Sequence, residues 1–127
     1  MTVELFALCD GAYNYNGKLT IVGTLSDMEV ASFPTKINIG IAIKIKLDSG
    51  ETIGDNLAIR FYDSEESKLP ADVNVVLDVR PMKGVSYISV AANVQGLPVE
   101  KNGGYKAKLI ADEKIEAEYT FKVEQKH

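Results

Sequence analysis

The chain contains no tryptophan, a single cysteine (Cys9) and a single histidine (His127), which is its last residue. Each scarcity closes a class of chemistry. One cysteine makes no internal disulfide, and a thiol placed inside the apolar run around Leu8 reads as a small buried hydrophobe. With the only imidazole at the end of the sequence, where side chains are seldom held in place, a Ser-His-Asp or Cys-His-Asp arrangement lacks its base. One Cys and one His are also too few for a tetrahedral zinc site, so no metal is expected. No G-x-x-x-x-G-K-[ST] loop occurs, and no cofactor is expected.

Long apolar runs are missing too. Nothing approaches the roughly 18 uninterrupted apolar residues of a membrane span, because lysines such as Lys44 and Lys46 break every run, and no membrane association is expected. The opening M-T-V-E-L-F-A-L-C-D sets Glu4 inside an apolar stretch and has no basic leader, the reverse of a secretory layout. The expected compartment is therefore the cytoplasm. Cations are outnumbered, 14 Lys and Arg against 18 Asp and Glu, for a formal charge of −4. The lysines are scattered through several segments, which leaves no basic stripe for a phosphate backbone and makes nucleic acid an unexpected partner.

What the chain does have is alternation. From Ile37 to Leu47 large aliphatics fill every odd position (Ile37, Ile39, Ile41, Ile43, Ile45, Leu47), with Asn38, Gly40, Ala42, Lys44 and Lys46 between them. Only an extended strand keeps that set on one face. Similar patterns run over Val3 to Cys9, Lys18 to Leu25, Leu57 to Tyr62, Val73 to Arg80, Tyr87 to Gln95, Tyr105 to Ala111 and Ile115 to Glu124. A short edge strand around Met28, Val30 and Phe33 is a further candidate, stopped by Pro34. The first strand is apolar on both faces, which argues that it is covered on both. Asn16-Gly17 carries the residues of a tight type I′ hairpin, and Gly23 marks a bulge or a close backbone approach. No helical period persists. Residues 1–127 therefore read as one all-β domain, a single antiparallel β-sandwich of about eight strands.

The run Leu8-Cys9-Asp10, then Asn16 to Gly23, resembles the opening of an uncharacterised family of small bacterial β-sandwich proteins, a domain of unknown function. Asn93 to Leu97 and Gly104-Tyr105 resemble its closing strands. That resemblance implies the fold and brings no activity with it. The closing hairpin is also similar to that of immunoglobulin-like domains, although the Cys, Trp, Cys framework of antibody domains is missing.

If about eight strands alternate in direction, the loops at Asp10 to Gly17, Asp48 to Asp55, Pro81 to Gly84 and Asp112-Glu113 share one end, and Asp63 to Lys68 lies at the other. The first end would gather Asp10, Tyr13, Asn14, Tyr15, Asn16, Asp48, Glu51, Asp55 and Asp112. Tyrosine supplies contact area and asparagine adaptable hydrogen bonding, the chemistry with which sandwich loops recognise partners. The same oxygens suit Ca²⁺ in principle, and acidic turns are commonly just solvated. Lys44, Lys46 and Arg60 read as a solvated sheet surface that discourages edge pairing. The expected function is a non-enzymatic binding or interaction module for an unknown protein partner. The alternatives are a self-assembling structural component and, third, a small hydrolase with two carboxylates facing across a cleft at about 5 to 9.5 Å.

Overall fold

The computed structural model describes residues 1–53, 56–77 and 83–126. The candidate residue Asp55, the stretch from Asp78 through Pro81, and His127 lie outside the described residues. Among the described residues the chain forms β1 (Thr2–Tyr15), β2 (Lys18–Thr24), β3 (Asp27–Val30), β4 (Thr35–Leu47), β5 (Asn56–Asp63), β6 (Lys68–Val76), β7 (Ser86–Val99), β8 (Gly103–Ala111) and β9 (Lys114–Gln125). They make two sheets, A in the order β2-β1-β4-β7 and B in the order β3-β9-β8-β5-β6. Every pairing is antiparallel except β3 with β9. The fold is thus an all-β sandwich, with nine strands among the described residues where the sequence suggested about eight.

The isoleucine ladder makes β4 the strand on which sheet A is built. Ile39, Ile41, Ile43, Ile45 and Leu47 are each no more than 2% exposed, packed in one core with Leu57, Ile59, Phe61, Leu109 and Val123 of sheet B. Each such side chain contributes about 1.5–3 kcal/mol by leaving water. Of four register shifts among the described residues, two correct the simple alternation. A register shift between Val3 and Leu5 sends Val3 to the core beside Phe6 and Leu8, and turns only Leu5, Ala7 and Cys9 outward. Another in the β8–β9 pair puts Ile115 opposite Ile110, leaving it exposed rather than inward with Ala117. Pro70 lies within β6, not before it, which an edge strand tolerates because its outer N–H side has no partner.

The feature that positions the candidate site is a change of partner at Cys9. This residue pairs with Gly40 of β4 and Thr24 of β2, and from Gly11 to Tyr15 β1 pairs with β2 alone. There β1 leaves the plane of sheet A and crosses its outer face directly over Gly40. A Cβ on Gly40 would stand 2.9 Å from the Ala12 nitrogen and 3.0 Å from the Gly11 carbonyl carbon, so no side chain fits. Cys9, Ala12 and Ala42 are buried in the resulting second, smaller core, with Leu5, Leu19, Ile21 and Ala91 around them. This is why β1 is apolar on both faces.

Candidate functional site

The ribbon formed by the last part of β1 and by β2 is closed by Asn16 (φ 50°) and Gly17 (φ 75°), the left-handed pair a type I′ turn requires. Its two faces do different things. Ala12, Asn14, Leu19 and Ile21 share the face turned to the body, by register and by their packing. Asn93 Nδ2 donates to the Ala12 carbonyl at 3.5 Å, and Asn14 Nδ2 donates to the Ser89 carbonyl at 3.0 Å. Because Leu25 N–H donates to the Leu8 carbonyl, the ladder alternation turns the odd residues of β4 toward β7 and aims Ser89, opposite Lys44, at the outer edge of β7. The ribbon thus crosses sheet A and caps a carbonyl on its far edge.

The other face of the ribbon points to water. Tyr13 pairs with Thr20, Tyr15 with Lys18 and Gly11 with Val22, and the Tyr13 ring folds back over Gly11. Tyr13 is 57%, Tyr15 73% and Val22 53% exposed, although the face beneath them already supplies the packing the ribbon needs. Tyr87, two residues from Ser89 on the outer face of β7, is 56% exposed. Lys44 Nζ sits 5.0 Å from the centre of its ring and 3.5 Å from Glu4. Lys18, Lys36 and Lys46 make no ion pair among the described residues.

On the outer face of sheet B most cations have carboxylate partners, although Arg60 Nη1 is buried without a hydrogen bond among the described residues. Glu66 receives Lys106 and Lys108 at 2.9 Å each, and Asp72 receives Lys68 at 2.7 Å and Arg60 at 3.5 Å. Lys101 reaches Asp63 and Glu65, and Lys122 reaches Asp27 and Glu124. Hydrogen bonds from Lys108 and then Lys106 hold the Glu66 carboxyl below its ordinary range, and Lys68 does the same for Asp72. A groove of about 690 Å³ crosses this face over Gly104, Lys106, Glu118 and Thr120. Its Glu66 is held in the ionised form by those lysines, the opposite of what a general acid needs.

Residues 4–124 match the family of unknown function DUF6941. The chain belongs to that family. No curated protein matches it. Among solved structures it is similar to the crystal structure of an immunoglobulin-like protein from Pseudomonas aeruginosa, at 11% identity and a TM-score of 0.44, over 96% of this chain and 94% of that one.

In this DUF6941 protein the acidic and aromatic candidates do not form one loop end. Tyr13, Tyr15 and Asn16 stay together on the ribbon, while Asn14 is spent on its underside. Asp10 lies at the bend, its carboxylate filling the place of a Gly23 side chain 2.5 Å from that Cβ position, with Gly23 at φ 63°. Asp48 and Glu51 sit where Thr2 pairs with Lys46, the opposite end of β1 from the hairpin turn. There Glu51 accepts the Met1 ammonium and the Asp48 N–H, and these bonds, the ammonium first, lower its carboxyl. Asp112 shares that end, since Leu57 pairs with Ala111, and with Glu113 it supplies the two positive-φ residues (50° and 63°) of a second hairpin turn. Counting β3 as a true strand is what reverses the ends. Among the described residues no group of three or more His, Cys, Asp or Glu converges as a metal site would need. Arg60 belongs to the other sheet from Lys44 and Lys46, and β4 is flanked on both sides, so these lysines guard no edge. Val22 and Tyr87 went unmarked because alternation assigns them a face without saying which face is covered.

Proposed function

We propose that this protein is a non-enzymatic cytoplasmic binding module that docks another protein on the β1–β2 ribbon and the adjoining outer face of sheet A. The observation that carries the reading is the exposure of Tyr13, Tyr15 and Val22 on a ribbon whose opposite face is already packed. A ribbon kept only to close the second core gains nothing from aromatic rings in water, whereas such rings give contact area at little cost in side-chain order. In favour of the non-enzymatic part, the carboxyls of Glu51, Glu66 and Asp72 are shifted downward, which suits none of them to the general-acid role of a hydrolase. Replacing Tyr15 by a photo-crosslinking aromatic residue tests it. A discrete protein adduct from Tyr15, and none from the same residue at Thr120 on sheet B, is expected; adducts from Thr120 alone would overturn it.

A second reading, self-assembly, is favoured by β7. This strand has no β partner on its outer side among the described residues, and Ser86–Val99 contains no charged residue. Uncharged edges invite pairing with another copy. Light scattering at tens of micromolar separates the two, because a monomer there removes the self-assembly reading.

A further inference from the structure

Resting on that docking face, we propose that its partner is an acidic segment of a protein, held by Lys18, Lys44 and Lys46 around Tyr15 and Tyr87. The argument is the uneven use of charge on the two outer faces. Sheet B carries cations that are mostly matched: Lys68 and, more loosely, Arg60 by Asp72, Lys106 and Lys108 by Glu66, Lys122 by Asp27 and Glu124, with Lys114 of β9 alone in making no ion pair among the described residues. Sheet A carries Lys36, Lys44 and Lys46 on β4 and Lys18 on the ribbon, against Glu4 and Asp10. Among the described residues, Lys44 alone of these lysines has an ion pair, at 3.5 Å, and it also lies over Tyr87.

A chain with a formal charge of −4 therefore turns a locally cationic, aromatic surface outward. Unmatched ammonium groups beside tyrosine rings complement carboxylates interspersed with apolar side chains, the composition of an acidic protein segment. The remaining surface, richer in carboxylates, repels a long polyanion, which argues against a nucleic-acid backbone as the occupant. Lysines bind carboxylates as point charges in water, so the attraction is one that salt screens, largely removing it beyond a Debye length of about 10 Å at 0.1 M and about 3 Å at 1 M.

The test is an amide chemical-shift titration of the labelled protein at low salt with poly-L-glutamate, with poly-L-lysine and an oligothymidylate run in parallel. Poly-L-glutamate is expected to shift Tyr15, Lys18, Lys44, Lys46 and Tyr87, and poly-L-lysine to leave them in place. The Lys18→Glu/Lys46→Glu variant, with its remaining spectrum unchanged, is expected to bind about ten-fold more weakly, as is the native protein in about 0.5 M salt. Shifts from poly-L-glutamate on sheet B, no shifts at all, or tighter binding of oligothymidylate to the same residues would overturn the proposal. Adducts from Tyr15 in a protein that ignores poly-L-glutamate would leave the docking face standing and reject the acidic partner alone.

Discussion

Burial pushes the Cys9 thiol up, and its Sγ donates to the Gly11 carbonyl at 3.2 Å, where β1 bends over Gly40. A thiol that must shed water to sit there, and whose anion would lie close to Asp10, is a poor nucleophile. Cys9 should therefore resist a neutral disulfide reagent in the native state and react only as fast as the protein opens. Measuring labelling against denaturant checks this, and modification within seconds in buffer would contradict the burial. This role was legible in the sequence, because an isolated cysteine between Leu8 and Asp10 in an alternating run has few other uses. The turn at Asp48 to Glu51 was legible as well, but the partner of Glu51 was not: its contact with the Met1 ammonium joins residues far apart in the chain, and no local pattern announces it.

At the scale of elements, the odd-position isoleucines of β4 and the alternation of β9 fixed two strands without ambiguity, since period two has one structural solution. The short strand around Met28 and Val30 was legible only as a candidate left out of the alternation of directions, and the bulges at Val3 to Leu5 and Leu109 to Ile110 escaped, for a physical reason. A bulge depends on the partner strand, and β3, Asp27–Val30, is held by pairing with Lys122–Gln125, not by strong alternation of its own. One uncounted strand of four residues was enough to send the acidic loops to the wrong end of the hairpin. Gly40 is the residue on which the crossing depends. Gly40→Val should cost about 1–3 kcal/mol by driving the ribbon off sheet A, while Gly104→Ala, whose Cβ meets nothing within 4 Å, should cost under about 0.5 kcal/mol. Urea melts measure both. Because the ribbon caps Ser89 on an uncharged edge, the Gly40 variant should also associate with rising concentration, a change visible by sedimentation.

For the molecule as a whole, the surface charges set the response to acid. Glu51, Glu66 and Asp72 have native carboxyls below their ordinary values, so the stability they lend is present above the unfolded-state value and is lost as pH falls through the native one. Melting temperature should accordingly stay level from neutrality downward and decline below the ordinary glutamate value of 4.5, and Glu66→Gln should flatten that decline. The sandwich and the interior were readable from one sequence; which face the ribbon covers, and hence where the tyrosines look outward, required the long-range contacts of Ala12, Asn14, Ser89 and Asn93. The most direct test of the docking face is the Tyr13→Ser/Tyr15→Ser double variant, compared with the native protein for recovery of the Tyr15-adduct partner and for melting temperature. A partner lost by about ten-fold or more at an unchanged melting temperature is the predicted result, since both rings lie outside either core. Full recovery of the partner by the variant would contradict the assignment.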